Sequence, residues 1–319
     1  MTALEEAARA AQHAPSVFNT QPWSWRITGD TMSLFADSSR RLTTVDKEGR
    51  LLYLSCGAAL HHARVALAAS GHAAAVSLLP DPAEPALLAT VRLTGTAEAT
   101  EADRSLFSAI TRRHSDRRSF GDRPVPEDEL TVLRRLVEEA GAYLHVVRPE
   151  QVTDLAISAE VAGNAERDDP AYREELDRWT NRPDFTGDGV PPATGVSPGL
   201  RRVPVRDFTP GSPSGMPPGD LHDKGTAYVV LFGRTEEPAD LLRGGEALSA
   251  LLLRATADGL SSSLISDAIE VEWPRHLIRG LIAGIGEPYL VVRLGYLPDV
   301  PPPPPTPRRD PRDVITIVE

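Results

Sequence analysis

The sequence predicts an α+β protein that contains two copies of one structural unit, joined in a single chain of 319 residues. A long apolar helix is indicated twice, over residues 50–71 and 244–259, and each copy ends at a glycine after an Ala-rich turn. A later strand also repeats, because residues 84–95 and 287–295 share a Glu-Pro opening and a Val-Arg-Leu core. An internal duplication explains both parallels most simply.

The other elements are predicted from local patterns. Residues 3–13 look helical and residues 23–27 look extended. A short strand follows each long helix, at residues 75–79 and 261–265. The single cysteine, Cys56, is expected to be buried in the first long helix, and it rules out an intramolecular disulfide or a multi-cysteine metal site.

Composition and charge narrow the class of protein. The chain is 41% hydrophobic and 25% charged, which is typical of a globular protein. The repeats place a first half at residues 1–100 and a second half at residues 101–319. The net charge of −11 argues against nucleic acid as a partner, because a phosphate backbone requires a broad positive surface.

Targeting and metal signals are not evident. The first residues are acidic where a secretory signal would be basic, and no stretch reaches the roughly 18 apolar residues of a membrane span. We therefore expect a cytoplasmic protein with no membrane partner. His61 and His62 are adjacent, so they point in different directions on a helix, and we expect no metal site.

A polar loop at residues 14–23 is the most informative segment. Pro15 stiffens the backbone, while Ser16, Asn19 and Gln21 supply hydrogen-bond donors and acceptors. Such a loop suits a flat ligand with polar edges better than it suits a core. The alternative interpretation is a plain turn from a helix to a strand.

A second segment, residues 112–120, contains four arginines and two serines. Guanidinium groups form paired, charge-assisted hydrogen bonds to phosphate oxygens, and hydroxyls fill the remaining positions. Arg113, His114, Ser115 and Arg117 are therefore candidates for an anion site. The alternative is a solvated basic face, although a cluster of positive charge with no partner is less expected in a chain of net negative charge.

Together these segments resemble the nitroreductase family. The loop matches its Pro-Ser-x-x-Asn-x-Gln-Pro-Trp signature, and Arg113, Ser115 and Arg117 match its Arg-x-Ser-x-Arg/Lys segment. The resemblance covers about residues 1–160 and 225–319 and is strongest to the Acg-like branch. It implies a nitroreductase-like fold, internally duplicated as a fused pseudo-dimer, that acts as a monomer.

The resemblance also implies FMN as the cofactor and assigns roles to residues. Arg113, Ser115 and Arg117 would hold the FMN phosphate and ribityl chain. Arg308 and Arg309, which follow the five-proline run at 301–305, would join them. Ser16, Asn19 and Gln21 would reach the ribityl chain and the pyrimidine edge. The alternative for the proline run is a disordered tail.

Further positions are implied less directly. Residues 264–267 align with the loop whose backbone amide faces flavin N5, so Ile265, Ser266 and Asp267 are candidates, with the amides of the last two as the donors. Arg50 could place positive charge near the pyrimidine, or could be a surface residue at a helix start. His114 is not named as a base, and no catalytic side chain is assigned.

The segment at about residues 164–225 departs from both halves. Its Pro/Gly/Ser content predicts that it is not a regular core element, and the bland interpretation is a surface insertion. It also contains Tyr172, Trp179, Phe185 and Phe208. Because a solvated linker does not need aromatic side chains, we expect an ordered lid over the flavin, as in Acg-like proteins.

These features indicate an FMN-dependent oxidoreductase that performs two-electron chemistry on a small molecule: a nitroaromatic, a quinone or a metabolite intermediate. NAD(P)H is a candidate reductant. The alternative is an FMN storage or sequestration protein whose lid blocks the flavin. A flavin-free structural protein would require the polar loop and the arginine clusters to be coincidental.

Overall fold

The first half begins with a helix and a hairpin. The computed structural model describes residues 1–197, 199, 201–208, 215–219, 222–297 and 300–318, with only the backbone of Asp184. Thr2 caps the first helix, because its hydroxyl accepts a hydrogen bond from the amide of Glu5 at 3.3 Å. The elements of this half are α1 (Ala3–Ala11), β1 (Trp23–Thr28), β2 (Thr31–Ala36), α2 (Arg50–Ala69), β3 (His72–Leu78) and β4 (Leu87–Thr96).

The second half follows from residue 101. Thr100 and Asp103 form a reciprocal capping box at the start of its first helix. Its elements are α3 (Glu101–Arg112), α4 (Glu127–Glu139), β5 (Tyr143–Val146), α5 (Val152–Asp168), α6 (Pro170–Thr180), β6 (Ala227–Gly233), α7 (Pro238–Ala257), β7 (Ser261–Ile265), α8 (Asp267–Glu270), α9 (Glu272–Leu281), β8 (Glu287–Gly295), α10 (Pro311–Val314) and β9 (Ile315–Val318).

Two sheets share one strand order. The first sheet runs β3-β4-β2-β1-β9 and the second runs β7-β8-β6-β5. In each, a long helix leads into the outer strand, whose antiparallel partner pairs in turn with the strand before the helix. This common order supports the predicted internal duplication. The α+β fold class predicted from the sequence is confirmed.

The two long helices pack directly against each other through glycines. A Cβ atom built on Gly57 of α2 would lie 2.1 Å from the carbonyl oxygen of Leu242, and one on Gly245 of α7 would lie 2.1 Å from that of Leu54. Only glycine permits this approach of backbone to backbone. The predicted helix at 244–259 begins earlier, at Pro238, because proline is favoured in the first turn of a helix.

The segment between the halves is more regular than its composition predicts. Its start is helical, as the end of α5 and the whole of α6, so the prediction that it lacks regular elements is wrong there. Asp169 caps α6 and Pro170 occupies its first turn, a start signal that the Pro/Gly-rich composition obscured. Tyr172, Trp179 and Phe208 are buried in one core cluster, as a folded lid requires. Positions 198, 200, 209–214 and 220–221 lie outside the described residues.

The C-terminal strand returns to the first half. β9 pairs in parallel with β1, with Ile315 opposite Trp25. The first sheet is therefore completed by the last residues of the chain, across the boundary predicted at residue 100. Cys56 is buried in α2, as expected. In the described part of the chain, no helix has the length and apolarity needed to cross a membrane.

Candidate functional site

A cleft lies where the polar loop, the arginine segment, the lid and the C-terminal tail meet. It encloses about 1040 Å³ between its walls, counting the part open to solvent. Its walls include most of the residues predicted from the sequence, together with the lid residues Val190, Thr194 and Phe208. The predicted residues in the walls are Pro15, Ser16, Asn19, Arg113, His114, Ser115, Arg117, Ser266 and Arg308.

Two arginines in this cleft converge on one backbone oxygen. Nη2 of Arg113 and Nη2 of Arg308 donate to the carbonyl oxygen of His13, at 3.4 and 3.2 Å. Both Nε atoms are buried without a partner, and neither guanidinium has a carboxylate partner among the described residues. Burial lowers the pKa of Arg113 to about 10, and burial with the charge of Arg113 lowers the pKa of Arg308 to about 9. Both side chains remain cationic at neutral pH, so this part of the cleft favours an anion.

The arginine segment is held in place by its backbone. The amide of Asp116 donates to the carbonyl oxygen of Ser262 at 2.8 Å, and Ser115 bridges the same residue. Arg117 makes no ion pair within the described residues and lies over the ring of Phe208, 4.3 Å from its centre. Burial lowers the pKa of Arg117 to about 10.

The backbone of the arginine segment is also held by a buried ion pair, which the sequence analysis did not predict. Arg293 of β8 is fully buried and lies 3.2 Å from a carboxylate oxygen of Asp223. Its Nη2 donates to the carbonyl oxygens of Asp116 and Arg118, at 2.9 and 2.7 Å. The repeated Val-Arg-Leu core marked Arg293, but nothing in the sequence pointed to its partner. The ion pair fixes the backbone that presents Arg117.

The polar loop has an unusual backbone. Phe18, Asn19 and Gln21 have φ values of 48°, 53° and 49°, in the left-handed region that side chains avoid. Ser16 holds the turn, because its hydroxyl accepts a hydrogen bond from the amide of Gln21 at 2.9 Å. Such a conformation persists only where surrounding contacts enforce it.

The side chains of this loop bind the lid and the tail. Nδ2 of Asn19 donates to the carbonyl oxygens of Gly189 and Pro307, at 2.9 and 3.1 Å. Nε2 of Gln21 donates to the carbonyl oxygen of Gly187 at 2.8 Å, and its Oε1 accepts from the amide of Arg309 at 3.0 Å. The structure thus gives both residues a fastening role. Their predicted contact with a flavin remains a prediction.

Four other predicted positions lie behind the cleft wall. Nη1 of Arg309 donates to the carbonyl oxygen of Gln21 at 3.1 Å. Arg50 is buried, donates to the carbonyl oxygen of Pro288 at 2.8 Å and pairs with Glu236 at 2.6 Å. The last two, Ile265 and Asp267, have buried side chains, while Ser266 between them lines the cleft.

Asp188 fastens the lid to the first half. Its carboxylate pairs with Arg40 and, at 2.7 Å, with Arg182, and it accepts a hydrogen bond from the hydroxyl of Thr186 at 2.7 Å. Although burial opposes ionisation, these hydrogen bonds lower the pKa of Asp188 to about 2. A lowered folded-state pKa stabilises the fold above the unfolded value of 3.8, and this contribution is lost as the pH falls toward 2.

Replacing Asp188 with asparagine should therefore loosen the lid at neutral pH, since two guanidiniums lose a shared carboxylate. At pH 7, we expect trypsin to cleave the variant faster than the parent within residues 182–202. At pH 3, where pepsin replaces trypsin, the difference in cleavage rate between variant and parent should be smaller. The exposed Asp177→Asn change is the control. Equal cleavage rates for parent and Asp188→Asn at pH 7 would contradict this role.

Comparison with known proteins identifies the class. The chain is 35% identical over 312 residues to a Mycobacterium tuberculosis protein provisionally named an NAD(P)H nitroreductase, covering 96% of this chain and 88% of the relative. No family model matches. The chain belongs to the nitroreductase family and is an oxidoreductase of that family, as predicted. Within the family it is similar to Acg of M. tuberculosis, at 35% identity over 309 residues, 96% of this chain and 93% of Acg.

Solved structures give weaker matches. A nitroreductase with bound FMN from Bacteroides fragilis matches with a TM-score of 0.42 and 16% identity, over 67% of this chain and 98% of that one. The FMN-dependent nitroreductase NfnB of Mycobacterium smegmatis, in complex with NADPH, matches with a TM-score of 0.39 and 16% identity, over 62% of this chain and 90% of that one. The family assignment depends on the M. tuberculosis relatives alone.

Proposed function

We propose that this chain binds one FMN in the cleft and acts as an FMN-dependent oxidoreductase on a small organic molecule. The observation that carries the proposal is the pair Arg113 and Arg308, two buried guanidiniums that converge on one carbonyl oxygen and have no carboxylate partner among the described residues. Two like charges held together in a buried site are costly unless an anion joins them. A dianionic phosphate supplies that anion.

The other walls fit the rest of the cofactor. Ser115 and Arg117 add polar groups to the walls, and Ser266 also lines the cleft, where its backbone amide is the proposed donor to the ring. Between them the walls are largely apolar, with Leu51 and Leu248 from the two long helices, which suits a flat aromatic ring. When bound, FMN supplies reversible two-electron redox chemistry.

The residues of the chain would bind and orient the FMN and would shield its ring from water. Arg113 and Arg308 hold the phosphate end, while Val190 and Phe208 of the lid exclude water from the ring. The substrate class we propose is a nitroaromatic, a quinone or a metabolite intermediate, with NAD(P)H as the reductant. Because the two halves complete one cleft within a single chain, we propose that a monomer is sufficient.

The lid favours a second candidate function, FMN storage, since Asn19, Gln21 and Asp188 all hold it closed over the cleft. Steady NAD(P)H oxidation by the FMN-loaded protein with a nitroaromatic or quinone acceptor would support the oxidoreductase. Tight FMN binding, with no reduction of the bound FMN by NAD(P)H and no reoxidation of the chemically reduced FMN by a nitroaromatic or quinone, would support storage.

We expect one FMN per chain. The convergent arginine pair occurs once in the described residues, and both arginines belong to the second half, while the first half supplies the carbonyl oxygen of His13 to which they donate. Flavin released by heat and quantified by absorbance should reach about one equivalent of protein. Two equivalents would contradict this asymmetry, and a colourless protein that takes up no added FMN would overturn the proposed function.

A further inference from the structure

A second cavity lies beside the cleft, between helices α5 and α6 and the described lid residues in the range 196–207. It encloses about 1390 Å³ between its walls, counting the part open to solvent. Arg117 lines both cavities. Arg206, which lines the second, has its guanidinium carbon 5.0 Å from the ring centre of Phe18 and 5.7 Å from that of Phe208, and both rings line the cleft. The two cavities are therefore neighbours.

The walls of the second cavity contain buried hydrogen-bond donors without partners. Arg206 has a side chain only 7% exposed and makes both of its ion pairs through Nη2, with Glu166 at 2.9 Å and Glu270 at 2.5 Å. Its Nε and Nη1 have no partner in the described part of the chain, and the same is true of the hydroxyl of Tyr172 and Nη1 of Arg201. Donors left unpaired in a buried wall are costly unless a ligand supplies acceptors.

In the described part of the chain, two arginines of this wall form no ion pair. Arg117 makes no ion pair among the described residues, and Arg201 donates only to the carbonyl oxygen of Pro218, at 3.2 Å. Burial lowers the pKa of each to about 10, so both are charged at neutral pH. Guanidiniums with free N–H groups match the several acceptor oxygens of a carboxylate or a phosphate.

Two buried acidic residues of the same wall already have partners of their own. Glu166 is already paired with Arg206, and burial raises the pKa of its carboxyl. Asp267 accepts a hydrogen bond from the amide of Ala268 at 2.9 Å, and burial raises its pKa to about 6. Among the described residues, this wall contains five arginines against four acidic side chains, and several of its buried donors have no partner.

We propose that the second cavity binds the carboxylate or phosphate end of a substrate whose reactive end reaches the flavin, with Arg201, Arg206 and Tyr172 as the anion-binding groups. This inference rests on the proposed function, and it specifies that function by the charge of the molecule that the enzyme handles. The anion is either part of an acidic electron acceptor or the phosphate of the nicotinamide reductant.

A matched pair of acceptors tests the inference. With the FMN-loaded protein in the oxidised state, calorimetry should show that 4-nitrobenzoate binds at least about tenfold more tightly than nitrobenzene, which lacks the carboxylate. Arg201→Gln should weaken 4-nitrobenzoate binding by roughly tenfold to hundredfold and leave nitrobenzene unchanged. Tyr172→Phe should cause a smaller loss in the same direction. Arg202→Gln, an exposed neighbour outside the cavity wall, is the control and should change neither ligand.

The reductant is tested in a second arm. Anaerobic flavin reduction is followed with NADPH and with N-benzyl-1,4-dihydronicotinamide, which carries no phosphate. If Arg201→Gln raises the NADPH concentration needed for half-maximal rate but not that of the phosphate-free analogue, the cavity serves the reductant. An effect on 4-nitrobenzoate alone assigns it to the acceptor.

The inference is overturned if Arg201→Gln changes neither 4-nitrobenzoate binding nor NADPH dependence while FMN content stays at the parent level. FMN content is measured in every variant, so that failure of the cofactor site is distinguished from failure of the second cavity. If the parent itself holds no FMN, the proposed function fails, and the calorimetric comparison with the flavin-free chain still decides whether the cavity binds an anion.

Discussion

FMN affinity should fall roughly tenfold to hundredfold when Arg113 is replaced by alanine, because a phosphate in a buried site loses a charge-assisted partner. The side chain is almost fully buried at the end of α3, and it has no ion pair in the described residues that would be broken by the change. The effect should therefore appear in cofactor binding rather than in folding. Fluorescence titration of the flavin-free variant with FMN measures it.

The neighbour Arg112 provides the control, since it is exposed and bonds only to its own helix, through Nε to the carbonyl oxygen of Ser108 at 3.2 Å. Arg112→Ala should keep the parent affinity. Arg308→Ala should resemble Arg113→Ala, because the two guanidiniums act on one oxygen. If all three variants bound FMN as the parent does, the arginine segment would be only a solvated basic face.

A single methyl group on Gly245 should destabilise the fold by about 2–3 kcal/mol, a large effect for so small a change. The added Cβ would lie 2.1 Å from the carbonyl oxygen of Leu54, 2.8 Å from Cα of Gly57 and 2.9 Å from the amide of Ala58. All three are backbone atoms, so α2 and α7 must move apart. Urea unfolding of Gly245→Ala against the parent, both without FMN, measures the loss.

Gly280 in α9 is the matched control, because a Cβ there meets nothing within 4 Å. Gly280→Ala should be neutral or stabilising by up to about 1 kcal/mol, as alanine is favoured over glycine inside a helix. Equal midpoints for the two alanine variants would show that the contact between the long helices is loose enough to absorb a side chain.

Local patterns explain what the sequence predicted well. The long helices and the strands at 261–265 and 287–295 each depend on residues that are near one another in the chain. The arginine segment was recognisable because four guanidiniums in nine residues need a partner wherever the chain places them. Local spacing and composition were enough to predict these features.

Long-range pairing explains what the sequence did not predict. Arg293 pairs with Asp223, and Arg206 pairs with Glu166, only once the chain has folded. No sequence pattern near either arginine indicates which carboxylate will pair with it. The polar loop was noticed for its hydrogen-bonding side chains, but whether Asn19 would face a ligand or the lid depended on where the lid lies. Arg309 was grouped with Arg308 by adjacency, although successive side chains of an extended segment point in opposite directions.

The return of β9 to the first sheet gives the tail that carries Arg308 two fixed ends, one in each half of the molecule. Because Arg308 and Arg113 both donate to the carbonyl oxygen of His13 in the first half, an anion held between the two arginines would join the two halves. Binding and the association of the halves are then thermodynamically linked, so each stabilises the other by the same free energy. A change that weakens the pairing of β9, far from the cleft, would therefore lower the affinity for the cofactor.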